Sequence, residues 1–139
     1  MNKNNLNISE IETYLNGILD GVVSNNTFFT TYPDPAVVTS SDWQDMVLVD
    51  FPTGIKDMES MGQGYVEVVL YARPFESGKK NVAKMSELET KLNDVLENAR
   101  DYRYMLRRSD AHSSYDTDIN WHCNVIELCS ARSLPCIPR

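Results

Sequence analysis

The sequence predicts an α+β single domain: a mostly antiparallel sheet with helices packed on one face, in the order α-β-β-β-α-β-β. Three observations carry this. Asn81–Arg100 has a long apolar stripe at helical spacing. Tyr65–Arg73 alternates as a strand with one wholly apolar face. The chain has 139 residues, 42% of them apolar, which suits one core and excludes a disordered chain.

The elements follow in order. Residues 1–7 are polar and predict a flexible start. Ser9-Glu10-Ile11-Glu12 reads as a capping box opening a helix over Ser9–Asp20, with Ile8, Ile11, Leu15, Ile18, Leu19 and Val22 on one stripe and Gly21 as its stop. Thr27–Tyr32 has the β-branched and aromatic content of a strand, ended by Pro33-Asp34-Pro35. Residues 36–44 read as a loop holding Trp43. Asp45–Phe51 alternates as a strand, and the polar stretch Ile55–Gly64 reads as a loop.

In Tyr65–Arg73, Val66, Val68, Leu70 and Ala72 line one face, and Tyr65, Val69 and Tyr71 lie on the other. The helix stripe Val82, Met85, Leu88, Leu92, Val95, Leu96 and Ala99 is expected to cover the first of these faces. Tyr102–Arg107 reads as a strand, Ser109–Asp118 as a polar turn, and Ile119–Cys129 as the last strand. The apolar positions of that strand change phase between Val125 and Ile126, which demands a bulge or cover on both sides. Residues 130–139 read as a loosely held extension.

Charge is uneven. The net charge is −7, which argues against a general nucleic-acid binder. Residues 1–72 carry ten acids and two bases, and residues 73–108 carry nine bases and six acids. That asymmetry suits contact between copies or with a charged partner, and equally suits plain solubilising charge. No apolar run is long enough to span a membrane, and Met1-Asn2-Lys3-Asn4-Asn5 lacks an apolar signal core. Folding in a cytoplasm is expected, with Cys123, Cys129 and Cys136 as free thiols.

The chemistry-bearing residues give no enzyme reading, and no catalytic, cofactor or metal residues are assigned. Ser113, His112 and Asp116 have triad composition but are strung along one polar segment. His122, Cys123, Cys129 and Cys136 lack the close ligand pairs of a structural zinc site. Asp34 with Glu89 and Lys91 imitates a nuclease pattern, but the latter two lie on a helix. Asp42, Asp45, Asp50, Asp57 and Glu59 lack the spacing of a calcium loop and read as a solvated acidic face. The strongest remaining signal is surface. Tyr65, Val69, Tyr71, Trp121, Ile126 and Leu128 form a candidate subunit interface, unless the first helix or residues 33–44 cover that face within one chain.

The element order, carried by Ile11–Leu19, Asp45–Phe51, Gly64–Ala72, Met85–Ala99 and Trp121–Leu128, resembles phage tail-terminator and tail-completion (head–tail joining) proteins. The resemblance implies a virion structural protein, assembled in the host cytoplasm. It implies a homo-oligomeric ring, typically hexameric, that caps the tail tube and meets the head connector at the neck. DNA would pass through the ring past acidic residues, without sequence-specific binding. The loops Ile55–Gly64 and Ser109–Asp118 would then be docking loops. The alternative is a small adaptor or regulatory domain that binds another protein through the same face. A metal-dependent hydrolase using the acidic loop residues is a third reading.

Overall fold

A computed structural model describes residues 8–23, 26–51, 66–98 and 106–130. They form an α+β domain around one five-stranded mixed sheet of order β1-β2-β3-β5-β4. The strands are β1 (Thr27–Phe29), β2 (Asp45–Asp50), β3 (Val66–Ala72), β4 (Leu106–Asp116) and β5 (Trp121–Ser130). The helices are α1 (Ile8–Leu19), α2 (Pro35–Ser40) and α3 (Val82–Asn98). β1 runs parallel to β2, and every other pairing is antiparallel.

The helices form where local chemistry stops and starts them. α1 begins at Ile8, so Ser9 lies inside the helix, not at its cap, and Thr13 Oγ1 donates to the Ser9 carbonyl. α1 packs close to α3 at its end: a Cβ on Gly21 would meet Val95 Cγ1 at 3.3 Å. The first turn of α3 is closed by Asn81, whose Oδ1 accepts from Lys84 N at 3.0 Å. Val82, expected on the buried stripe, is 64% exposed in that turn. Ala99 lies outside the described residues.

Two expected boundaries differ. Residues 35–40, read as loop, are α2. Asp34 Oδ1 accepts from Ala36 N at 2.8 Å and Pro35 opens the helix, so the prolines that end a strand also start a helix. β1 stops at Phe29, not Tyr32, because Thr30 takes a left-handed φ of 70°. The segment Ser109–Asp116, read as turn, is most of β4; only 117–120 turn, with Asn120 at φ 58°. Residues 102–105 lie outside the described set.

The sheet is buried on both faces. Under α1 and α3 lie Val47, Val49, Val66, Val68, Leu70, Ala72, Ile126 and Leu128, packed with Ile11, Leu15, Leu19, Met85, Leu88 and Leu92. Each fully buried aliphatic side chain here contributes about 1.5–3 kcal/mol of transfer free energy. On the other face Val38 of α2 packs with Met46, Val69, Tyr71, Ile119, Trp121, Cys123 and Val125. This resolves the phase change in β5. The strand keeps its two-residue period, with Trp121, Cys123 and Val125 on the α2 face and Ile126 and Leu128 on the α1/α3 face. The only register shift in its pairing with β4 lies between Arg108 and Asp110 of β4.

Candidate functional site: a carboxylate row on the α2 face

The α2 face has two halves of opposite character. Over one half, α2 and the segment leading to β2 are pinned down. Arg73 Nη2 donates to Val38 O at 3.2 Å, Ser41 O at 2.9 Å and Ser41 Oγ at 3.2 Å, and Nε donates to Trp43 O. These carbonyls stand at and beyond the C-terminal end of α2, where a helix leaves acceptors without intrahelical partners. The guanidinium also lies 4.8 Å from the Trp121 ring centroid.

Beside it, Asp116 Oδ2 accepts from Tyr32 OH at 2.8 Å and Tyr71 OH at 3.0 Å. Burial and the Asp116 charge push both phenols well above the ordinary tyrosine range. Burial, then the same carboxylate, push the Cys123 thiol up to about 11. A thiol so raised is a poor nucleophile. This half is a structural lock.

The other half carries the row. The strand registers place Asp50 opposite Glu67, Glu67 opposite Glu127, and Glu127 opposite Asp110. Four carboxylates thus stand side by side across β2, β3, β5 and β4. Directly opposed residues have Cβ atoms only about 4.5–5.5 Å apart, and like charges there are destabilising. Among the described ion pairs none involves any of the four. The Glu67 carboxyl is held above the ordinary range by partial burial first, then by Asp50 and Glu127, with His112 opposing. The arrangement forms a strip of concentrated negative charge on an otherwise packed face.

A second polar group lies on the α1/α3 face. Asn124, buried, donates to Glu89 Oε2 at 3.0 Å and accepts from Lys80 Nζ at 3.1 Å and Ser113 Oγ at 3.0 Å. An open depression of about 190 Å³ is lined by Glu89, Ala111, His112, Ser113 and Asn124. Every polar atom of the Asn124 amide is used within this network, which ties the start of α3 to the β4–β5 hairpin.

The residues singled out from sequence are dispersed. Ser113 pairs with Asn124 and Asp116 with Trp121, on opposite faces of β4, so no triad assembles. Cys129, expected as a free thiol, is disulfide-bonded, whereas Cys123 is free and buried; Cys136 lies outside the described residues. No group of three His, Cys, Asp or Glu side chains able to hold a metal occurs among the described residues. Asp34 caps α2, Glu89 accepts from Asn124, and Lys91 pairs with Glu87 at 3.1 Å. Asp45 pairs with Lys84 at 2.9 Å, Asp50 joins the row, and Asp57 and Glu59 lie outside the described residues.

The candidate interface residues are placed inside the chain. Val69, Tyr71 and Trp121 are buried beneath α2 and its flanking segment, and Ile126 and Leu128 beneath α1 and α3. Of the two covers weighed for that face, residues 33–44 supply it. These five side chains therefore expose almost no area to a second chain in this conformation. Tyr65 and the loop Ile55–Gly64 lie outside the described residues.

No helix among the described residues is long and apolar enough to cross a membrane. Comparison with protein-family models, with curated proteins and with solved structures finds no match to this chain.

Proposed function

We propose that the chain is a virion structural protein that assembles as a ring terminating a phage tail tube at the head connector, with the carboxylate row turned toward passing DNA. The row is the observation that supports this reading. Four like charges in register weaken the fold that carries them, so a reason outside the fold is called for. A surface that repels phosphates lets a polyanion slide without sticking. The described residues between 8 and 51 carry seven acids, Asp50 of the row among them, and no base. Light scattering over a range of concentrations tests the assembly. A closed oligomer near the hexameric mass is the expected result, and a strict monomer that also ignores purified tail-tube protein overturns it.

The adaptor reading has its own support. Phe75 and Tyr115, 55% and 46% exposed, stand with Val82 where β3 and β4 end and α3 begins. Exposed apolar groups gathered at one end suit docking to another protein. A stable monomer that binds a non-virion protein, and loses it on Phe75→Ser, selects this reading over the ring.

A further inference from the structure

Three features remain after the row and the lock: the Asn124 network, the exposed apolar end and the outer edge of β4. The first is internally satisfied, and nothing shows what covers the second. The third carries an inference. β4 is an edge strand of eleven residues, and no strand pairs with its outer side among the described residues. Asp110 to Tyr115 are all exposed, and none of the described side chains from Arg108 to Asp116 belongs to either core cluster. An unpaired row of backbone N–H and C=O groups this long is a template for another strand.

We infer that β4 pairs antiparallel with β4 of a second copy, about a two-fold axis at His112, joining two sheets into one. Length selects the occupant. The opposite edge, β1, offers only three residues, so β4 is the one edge of a second copy that matches β4. Charge selects the direction. β4 begins with Arg108 after its first two residues and runs out into Asp116 and Asp118. Antiparallel pairing sets the basic end of each strand beside the acidic end of the other.

Side-chain size and charge select the register. Centring on Ser113 would oppose Asp110 to Asp116 of the second copy. Centring on His112 opposes Asp110 to Ser114 and Ala111 to Ser113, small neutral partners over the stretch beyond the irregularity at Arg108–Asp110. A two-fold contact does not itself close a six-membered ring, so this inference neither rests on the ring reading nor requires it.

The test is site-specific cross-linking with solution mass. His112→Cys is expected to form an intermolecular disulfide under mild oxidation, at a rate well above that of Asp94→Cys, an exposed position on α3 that reports random collision. Arg108→Glu, which sets a second acid opposite Asp116 of the other copy, is expected to raise the dimer midpoint concentration about tenfold. An even-numbered mass with fast cross-linking at His112 supports the contact. Cross-linking no faster at His112 than at Asp94 overturns it, whether the mass is that of a monomer or of a six-membered ring. The second of these outcomes leaves the ring standing without it.

Discussion

β3 and β4 both pair antiparallel with β5, on opposite sides of it, yet they are held in different ways. β3 is buried on both faces, and only Glu67 among its seven residues is not. β4 is longer but exposes Asp110 to Tyr115, and among its described side chains it is tied to the rest of the molecule, beyond the ladder to β5, by polar contacts from Arg108, Ser113 and Asp116. The same backbone pairing therefore serves two purposes. In β3 the ladder accompanies hydrophobic burial that fixes the fold. In β4 it presents a polar strand to solvent, which leaves the edge available for assembly.

The largest expected effect lies on the β3 side. Leu70→Ala, at a fully buried position between the helices and the sheet, is expected to cost about 2–5 kcal/mol in denaturant unfolding, while Ala111→Ser on β4 changes stability by less than about 0.5 kcal/mol. Comparable losses at the two positions would mean that β4 is covered by something in solution.

Next comes the lock over the second face. Tyr71→Phe removes a hydrogen bond to a carboxylate and is expected to cost about 1.5–3 kcal/mol. Arg73→Met strands the carbonyls of Val38, Ser41 and Trp43. It is expected to cost about 1–3 kcal/mol for each of these that stays buried without a new partner. Hydrogen exchange in α2 then rises ahead of exchange in β3; uniform exchange across both would show that α2 is not held by Arg73.

Cys123 reports the same lock chemically. With its thiol pushed up to about 11 and buried, it is expected to resist a thiol reagent at pH 8 until the protein unfolds. Rapid labelling of the native protein would mean that the α2 half opens.

The smallest effect concerns the carboxylate row and has a definite sign. The Glu67 carboxyl is raised in the folded state, so the folded chain holds its proton more tightly than the unfolded chain. Its favourable contribution is complete below the ordinary glutamate range and is lost as pH rises through the raised folded value. Glu67→Gln is therefore expected to stabilise at pH 7, and its advantage is expected to shrink as pH falls through the raised folded value and to be gone below the ordinary glutamate range. A destabilising Glu67→Gln at neutral pH would show that the row is satisfied by a bound cation or partner.

Periodicity made the strong elements readable. Leu15 and Leu19 in α1, Leu88 and Leu92 in α3, and Val68 and Leu70 in β3 lie where their spacing puts them. β4 was hidden because its residues Ser109 to Ser114 look like turn chemistry. No apolar alternation marks a strand exposed on both faces. α2 was hidden behind Asp34-Pro35, which serves equally to end a strand and to cap a helix. The sequence also shows the acids and the bases separately, and places Asp50, Glu67, Asp110 and Glu127 in four different segments.

By itself, then, the sequence determined which stretches carry apolar stripes, that one mixed helix-and-strand domain results, and that charge is unevenly divided along it. Tertiary structure decided the rest. Strand register lined four distant carboxylates into one row. The fold of residues 30–44 over the sheet turned Val69, Tyr71 and Trp121 into core. The reason is that local propensity acts over a few neighbours, whereas register and cover depend on which distant surfaces meet, and a shift of one residue would send every side chain of a strand to the other face.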